Sequence, residues 1–330
     1  MKRVVFFSLA LALAAGCGGA GITPGPGSRG ATVEQTSDAG PRLAPNCCAR
    51  IKTLFVTDAF GGSSFTGTVY AFDYETGRLL GQLPAPPEGW LEVQGACVDN
   101  GGNAYFANTS LSTIDEYSHD GTYLATIQDP GQYPAWCSYD PTTGNLAVAN
   151  VIDVSGGSGS ISIFKDGVLQ NTYHPPNLTR VFSVGYQDGT AGVLWLSGNT
   201  SSGSTLVYTF ANGQFTRVTF HGLRGGSIGG GFQWSAKMHA MNTSGSDATG
   251  HSVIWQFTPA AKIVGKTILD CDGSVCDVVS FFIKGPRVTT ADAVHLNAPQ
   301  FDYPKGGRPI KNYPAPYVQP IGVAVSPNVP

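Results

Sequence analysis

The feature that most constrains this chain is a unit of short strands and tight turns that recurs with a period in the forties. The clearest copy spans residues 94–127, where four apolar or β-branched runs are joined by short polar connections, including turns at residues 100–102 and 119–121. Turns rich in Gly, Asn and Asp supply positive φ angles and leave no room for a crossover helix. Each unit is therefore predicted to be a four-stranded antiparallel meander.

Two independent series of residues count the units. An Asx residue ends the second run of each unit, at spacings of 42 to 50, in Asp58, Asn108, Asn150, Asn199, Asn242 and Asp292. An aromatic residue closes the third run, at spacings of 44 to 47, in Phe72, Tyr117, Phe164, Phe210, Phe257 and Phe301. Both series give six units, which predicts an all-β fold, a six-bladed β-propeller with four antiparallel strands per blade.

The two ends of the repeat predict how the ring closes. The first unit supplies only three strands, at residues 53–57, 67–72 and 78–83, whereas residues 320–326 form an isolated strand with nothing after it. Pairing this C-terminal inner strand with the N-terminal blade gives every blade four strands and removes exposed edges. We therefore place the propeller at residues 51–327, followed by a tail at 328–330.

Charge excludes one class of partner. Only 12% of the 330 residues are charged, the net charge is −3, and the 19 Lys and Arg residues are scattered. Nucleic-acid binding needs clustered basic residues, so no nucleic-acid partner is expected. With its edges closed, the protein is expected to be a monomer.

The N-terminus reads as an export signal. Met1, Lys2 and Arg3 precede an apolar run at residues 4–15, which is too short for a permanent membrane span, so residues 1–16 are predicted to be a signal peptide. Residues 13–17 resemble the lipobox of bacterial lipoproteins, with Cys17 as the lipidated residue, although Ala14 stands where Leu is commoner. The alternative is ordinary cleavage after residues 12–14, which leaves Cys17 unmodified or removed.

Residues 17–50 are predicted to be the lipidated cysteine followed by a spacer. The segment is dominated by Gly, Pro, Ser, Thr and Ala and has little apolar bulk, so it cannot offset its ordering entropy and is expected to be disordered. Such a spacer would hold the propeller away from an envelope membrane, which the protein would contact through the lipid anchor only.

The repeat resembles a known family of propellers. A Pro- or Gly-led inner strand, an Asn-ended second strand and a third strand ending on an aromatic residue are similar to the NHL-repeat and gluconolactonase-type six-bladed propellers of the TolB-like superfamily. Residues 301–310 look like a blade of exported bacterial members. The resemblance covers about residues 51–326. It implies the fold; activity is grafted onto propellers and is not implied by the fold.

Seven cysteines fit an oxidising compartment. Cys271 and Cys276 are separated by a short loop and are favoured as a disulfide. Cys97 and Cys137 occupy equivalent places on neighbouring inner strands, so they are expected to be buried thiols unless their Cα atoms approach within ~7 Å. Cys47 and Cys48 are adjacent; a vicinal disulfide would be strained, and nearby residues offer no further metal ligands.

The recurring Asx residues are interpreted as structural, because such side chains satisfy backbone groups where a strand ends. Candidate binding residues are instead those that break the repeat where the chain enters an inner strand, namely Trp90, Glu92, Tyr133, Arg180, Asp277 and Gln319. They are expected to ring one mouth of the central channel, where propellers usually bind ligands. The alternative is a solvated rim without function.

Two functions follow from the sequence. The first is a non-catalytic scaffold, tethered to the bacterial cell envelope, that binds a glycan, a peptide or an envelope protein. The alternative is a calcium-assisted hydrolase similar to gluconolactonases, in which Glu92 and Asp277 would supply ligands; no matching Asn ligand is evident. A quinone or haem enzyme is a distant third, since the chain lacks a Cys-x-x-Cys-His motif.

Overall fold

The computed structural model describes residues 42–43, 51–62, 66–190, 192–271 and 276–327. In these ranges the chain forms six antiparallel sheets of four strands each, and the innermost strands of successive sheets contact one another in a closed ring. The predicted six-bladed β-propeller is confirmed. Helical structure in the described ranges is limited to one 3₁₀ turn, Thr109–Leu111. A search of the same ranges for a helix long and apolar enough to cross a membrane finds none.

Within each blade the strands follow chain order from the axis outward, except that blade 1 receives its innermost strand from the end of the chain. Blade 1 has β1 (Thr53–Asp58), β2 (Thr68–Asp73) and β3 (Leu79–Gln82), and blade 2 has β4 (Val93–Val98), β5 (Ala104–Asn108), β6 (Thr113–Tyr117) and β7 (Tyr123–Gln128). Blade 3 has β8 (Gln132–Tyr139), β9 (Asn145–Asp153), β10 (Ser160–Lys165) and β11 (Val168–Tyr173). Blade 4 has β12 (Arg180–Tyr186), β13 (Leu194–Asn199), β14 (Thr205–Ala211) and β15 (Gln214–Arg217). Blade 5 has β16 (Ser227–Ser235), β17 (Ala240–Ser246), β18 (Ser252–Phe257) and β19 (Ile263–Leu269). Blade 6 has β20 (Val278–Lys284), β21 (Arg287–Asp292), β22 (Pro299–Asp302) and β23 (Lys311–Asn312), and β24 (Pro320–Ser326) returns to blade 1.

The core is divided among the six spaces between neighbouring blades. Each space holds one cluster of buried apolar side chains contributed by the two facing sheets. Between blades 1 and 2, for example, Phe55 and Phe106 meet edge to face with ring centroids 5.5 Å apart. Each fully buried side chain of this size contributes ~1.5–3 kcal/mol, so stability is distributed around the ring.

Glycine allows the inner strands to crowd the axis. A Cβ atom on Gly95 of β4 would lie 2.4 Å from the carbonyl oxygen of Ala135 in β8, and one on Gly322 of β24 would lie 2.4 Å from that of Gln94. Neither space accepts a methyl group without moving backbone. The neighbouring inner strands therefore approach closely on both sides of β4.

β24 closes the ring as the sequence predicts. It pairs antiparallel with β1, from Thr53 opposite Ser326 to Asp58 opposite Pro320, and all seven of its residues are buried. At its end, the Ser326 hydroxyl donates a hydrogen bond of 2.5 Å to the carbonyl oxygen of Gly102 in blade 2. The last strand is thus fixed to its own blade and to the next.

Blades 3 and 5 correct two positions of the Asx series. In blade 3 the second strand does not end at Asn150 but continues to Asp153. In blade 5 it does not end at Asn242 but continues to Ser246, which pairs with Ser227, the first residue of the inner strand. The register shifts twice along β16, between Ile228 and Gly230 and between Gly230 and Phe232. These irregularities lengthen the pair, which a count of sequence spacing does not reveal.

Part of the predicted spacer makes a contact with the propeller. Arg42 forms a parallel bridge with Gln82 at the outer edge of blade 1, and the Leu43 N–H donates to the Gln82 carbonyl oxygen at 2.9 Å. These two residues therefore contact the outer edge of blade 1. The predictions for residues 1–41 and 44–50, which include Cys17, Cys47 and Cys48, and for the tail at 328–330 lie outside the described residues.

Candidate functional site

The central channel has two mouths. We call the one where the inner strands begin the N-terminal mouth, and the one where they end the C-terminal mouth. All six predicted binding residues precede or start an inner strand and so belong to the N-terminal mouth.

Trp90 is part of the core. Only 7% of its surface is exposed, and its ring packs against Phe106 and Tyr117 with centroids 6.1 and 5.7 Å away. Its position between blades 1 and 2 gives it a packing role.

Glu92 is buried and already partnered. Its carboxylate accepts hydrogen bonds from the Ser110 hydroxyl at 2.7 Å and from the Gln94 amide at 3.1 Å. Its φ of 63° lies in the left-handed region, where a residue with a side chain is strained. The carboxylate therefore fixes an unusual turn in the loop that leads into β4.

The other four predicted residues are more exposed. Tyr133, Arg180 and Gln319 are partly buried and Asp277 is exposed. Two of them are held through their main chains, since the Gln319 N–H donates to Asp58 at 2.7 Å and the Asp277 N–H donates to Asp292 at 3.1 Å. The use of any of the six residues in ligand binding stays a prediction.

The recurring Asx side chains hold the loops at this mouth. In three blades, the buried Asx at the end of the second strand accepts a hydrogen bond from the loop that enters the same blade's inner strand. The pairs are Asp58 with the N–H groups of Val318 and Gln319, Asn108 with that of Leu91, and Asp292 with that of Asp277. Each Asx is fully buried. The structural interpretation of these residues holds in those blades.

Blade 3 departs from this pattern. Asn150 donates to the hydroxyls of Ser160 and Ser162 at 3.0 and 2.9 Å, and Ser162 donates to Asp129 at 2.8 Å. Among the described residues, Asp129 Oδ2 and Asn150 Oδ1 are buried without a hydrogen-bond partner. Burial raises the pKa of Asp129 to about 6.

The N-terminal mouth gives the calcium alternative little support. In the described ranges, the one group of three potential metal-ligating side chains is Cys271, Cys276 and Asp292, and its two cysteines are bonded to each other. Glu92 and Asp277 do not converge with a third such group there. Calcium binding at this mouth stays a prediction, which calorimetric titration before and after Glu92→Gln and Asp277→Asn would check.

The C-terminal mouth contains a cavity of about 350 Å³. All six inner strands contribute to its wall, and none of the six predicted binding residues does. Seven aromatic side chains line it: Trp136, Tyr139, Tyr186, Phe232, Trp234, Phe281 and Phe282. The cavity is half open to solvent, and its volume lies within the ~300–1,000 Å³ that is usual for small-molecule sites.

Trp136 reaches across the axis beneath this cavity. A Cβ atom on Gly95 would lie 3.0 Å from its ring, and one on Gly231 of the opposite side would lie 3.6 Å from the ring and 3.3 Å from Phe281. Blades 2, 3, 5 and 6 therefore meet at this indole. Its packing against strands on both sides fixes its orientation in the wall.

Several polar groups in the wall have no partner in the part of the chain that the structure describes. The Lys284 ammonium and the Asp188 carboxylate form no ion pair or hydrogen bond with another described residue. In the same ranges, no hydrogen bond is formed by the Tyr186 hydroxyl or the Trp136 indole, although these side chains are only 5% and 7% exposed. None of these polar atoms is buried out of contact with solvent, so all four are open to the cavity and available to a ligand there.

Other polar groups in the wall are already occupied. Asp99 accepts hydrogen bonds from the Asn103 N–H at 2.8 Å and the Tyr105 hydroxyl at 3.2 Å. Gln233 bridges to the main chain of Ile283, donating at 3.0 Å and accepting at 2.6 Å. These contacts shape the wall and leave Lys284 and Asp188 as its unpaired charges in the described chain.

Two disulfides lie in the described chain. The Cys271–Cys276 disulfide favoured from the sequence is present. Cys97 and Cys137 are also bonded, which is the exception that the sequence analysis allowed for a close approach of the two Cα atoms. Their Cα atoms are 5.6 Å apart because the inner strands of blades 2 and 3 crowd together at the axis, and the disulfide lines the cavity.

The sequence contained one signal for this cavity. Inner strands at a crowded axis favour small residues, as in Ala96 and Ala324, yet the later halves of β8, β12, β16 and β20 carry large aromatic side chains. That excess marks the mouth where the axis widens. The identity of the unpaired groups, in contrast, depends on contacts between blades distant in sequence.

Comparison with known proteins supports the fold. No protein-family model and no curated protein matches the sequence. Among solved structures, a chain of the nidogen–laminin complex has a TM-score of 0.62 at 12% identity, covering 84% of this chain and 99% of that one. A protein of unknown function from Bacteroides caccae has a TM-score of 0.56 at 17% identity, with the same coverage. At such identities the likeness concerns the fold alone, and the chain described here is a six-bladed β-propeller.

Proposed function

We propose that this protein is a non-catalytic binding propeller whose C-terminal mouth holds a small amphipathic ligand. The carrying observation is the coincidence, in one cavity, of aromatic walls with polar groups that have no partner among the described residues. Aromatic walls supply apolar contact area, and the unpaired groups supply orientation.

Contacts of the protein favour binding over hydrolysis. A hydrolase needs a nucleophile or an activated water beside a general base. Within the described ranges, the cavity's Ser138 is not paired with a histidine or a carboxylate; its hydroxyl oxygen accepts a hydrogen bond from the Tyr186 N–H at 3.0 Å. The polar groups of the wall are suited to holding a ligand.

The proposal includes export and attachment to the bacterial envelope through Cys17. It is supported by the signal-like N-terminus and by two disulfides, which persist in oxidising compartments. Labelled palmitate should be incorporated into the protein, and Cys17→Ala should abolish the label. Equal labelling of the variant would exclude attachment at this residue.

A protein partner is a compatible extension. One structure with this fold is a complex of nidogen and laminin, so a similar scaffold takes part in a protein assembly there. For this chain, the supporting feature is the ring of loops at the two mouths, where propellers present variable residues. The cavity itself has the size of a small ligand or of a terminal segment of a larger one.

Thermal melting with fractionated low-mass extracts of bacterial envelopes tests the proposed function. A ligand that binds only the folded state raises the melting temperature. The active fraction should stabilise the native protein and Arg180→Met, which alters the N-terminal mouth, but not Trp234→Ala, which alters the cavity. Mass spectrometry should recover the bound compound unchanged after incubation. Stabilisation that survives Trp234→Ala and disappears in Arg180→Met would place the site at the opposite mouth.

A further inference from the structure

We propose that the ligand of the C-terminal mouth is a small zwitterion, of the class of free dipeptides, with its carboxylate on Lys284 and its ammonium on Asp188. The inference rests on the proposed binding function and names the chemistry of the ligand. It follows from which charges in the cavity wall are occupied and which are not.

The ammonium of Lys284 is available to pair with an anionic group of a ligand. Its side chain is partly buried in the cavity wall and has no carboxylate partner in the described chain. Burial and the neighbouring charge of Lys52 lower the pKa of its ammonium, which shows that its surroundings disfavour an unpaired positive charge. Lys52 cannot be neutralising it, since it is itself a cation and is paired with Glu75 at 2.5 Å. A ligand carboxylate would supply the missing partner.

The carboxylate of Asp188 is available to pair with a cationic group of a ligand. It stands two residues beyond β12 on the exposed rim and accepts no hydrogen bond from a described residue. Burial of its surroundings and the negative charge of Asp140 raise the pKa of Asp188. A ligand ammonium would stabilise the Asp188 carboxylate in its charged form, and the aromatic rings of the cavity would add cation–π attraction.

The two charges belong to different blades. Lys284 ends the inner strand of blade 6, whereas Asp188 follows the inner strand of blade 4, so blade 5 lies between them. Blade 5 contributes Phe232 and Trp234 to the wall between the two charges. A ligand that engages both charges therefore lies along an aromatic surface, which suits an apolar body between its charged ends.

Other small ligands fit less of this arrangement. A neutral sugar would use the aromatic walls but would leave Lys284 unpaired. A simple organic anion would pair with Lys284 but would also face the carboxylates of Asp99 and Asp188, which line the same cavity. A zwitterion is the class that satisfies the unpaired cation and the unpaired anion together.

The test uses a panel of free dipeptides that presents all twenty side chains at each position. The tightest binder is then compared by calorimetry with its N-acetylated and C-amidated forms. Each blocked form should bind about tenfold or more weakly, a difference of ~1.4 kcal/mol. Equal binding of the free and blocked forms, or binding of no dipeptide in the panel, would overturn the zwitterion.

Two variants assign the two ends. Lys284→Met should remove the preference for the free acid over the amide and keep the preference for the free amine. Asp188→Asn should do the reverse, and Arg180→Met should keep both preferences. Unchanged melting temperatures of the unliganded variants establish that they fold. If the dipeptides fail while an envelope fraction still stabilises the protein in a Trp234-dependent manner, the proposed function stands and only the ligand class is wrong.

Discussion

At the N-terminal mouth, buried Asp58, Asn108 and Asp292 use their side chains to hold the loops that enter the inner strands. At the C-terminal mouth of the same six strands, Lys284 and Asp188 have no partner in the described chain. The Asx side chains of the first mouth therefore help to build the ring, whereas these two charges of the second mouth are available to a ligand.

In a repeated fold, recurrence distinguishes polar residues that stabilise the structure from those that are available to a ligand. A polar residue that recurs from blade to blade makes a contact that the fold of each blade requires. A polar residue that occurs once and is left unpaired does not stabilise the fold through such a contact. The comparison makes quantitative predictions, because changes at the first kind of site should cost stability and changes at the second should cost binding.

The largest effect should come from removing the closing strand. Deleting residues 319–330 bares the edge of β1 and removes Ile321, Val323 and Val325, which are buried. Their loss costs ~1.5–3 kcal/mol each, a sum comparable with the ~5–15 kcal/mol stability of a whole domain. The truncated protein should melt far lower or aggregate in calorimetry, whereas removal of residues 328–330 alone should change little. Equal melting of both truncated forms would show that β24 is dispensable.

The two disulfides should differ in a defined order. Replacing Cys97 and Cys137 together with Ala opens a link between residues 40 positions apart and should cost ~4 kcal/mol by loop entropy. Replacing Cys271 and Cys276, 5 positions apart, should cost ~2 kcal/mol. Denaturant unfolding measures both. Of the two disulfides, only Cys97–Cys137 lines the cavity, so only its removal should also lower the affinity for the ligand. Equal effects of the two replacements on ligand affinity would contradict the placement of the site in this cavity.

Asp129 gives the N-terminal mouth a pH signature. Its pKa is about 6 in the folded protein and ~3.9 when unfolded, so the folded state binds more protons between these values. The free energy of unfolding should therefore fall as the pH rises from about 4 to 6, by ~3 kcal/mol from this group. Asp129→Asn keeps the shape and removes the titration. The free energy of unfolding of the variant minus that of the native protein should therefore increase as the pH rises from about 4 to 6. A difference that does not change with pH would show that Asp129 titrates normally.

The smallest effects should come from the exposed rim of the N-terminal mouth. Tyr133→Phe and Asp277→Asn leave the buried loop contacts in place, because Asp277 uses its main-chain N–H there. Each should change stability by less than ~0.5 kcal/mol and leave ligand binding unchanged. Loss of binding in either variant, with melting preserved, would reverse the assignment of the two mouths.

The fold was predictable because its information is local and repeated. The aromatic series from Phe72 to Phe301 and the unpaired last strand were enough to count the blades and to close the ring. The register of blade 5 was not predictable, since irregularities in β16 move Asn242 away from the strand end. Spacing alone cannot distinguish a longer strand from a longer loop.

The candidate site was less predictable, because it depends on convergence between blades. Residues that precede inner strands look exposed in the sequence, yet Trp90 is packed in the core and Glu92 is fully partnered. Lys284 looks like an ordinary strand-ending lysine, and its lack of a partner is a property of the assembled ring. The Cys97–Cys137 distance likewise results from how closely two inner strands approach at the axis.

The position of β24 has a consequence for biosynthesis. Among the strands of the ring, the innermost strand of blade 1, β24, is made last, and its partner β1 is made first. A nascent chain that lacks β24 cannot complete the ring, so β1 keeps an unpaired edge while the five further blades are synthesised. Pairing β24 with β1 closes a loop that contains all the other strands, which is slow. Until then the intermediate exposes an unpaired strand edge and is prone to aggregate. If the proposed export takes place, that delay would keep the polypeptide unfolded and competent for translocation until β24 has been made.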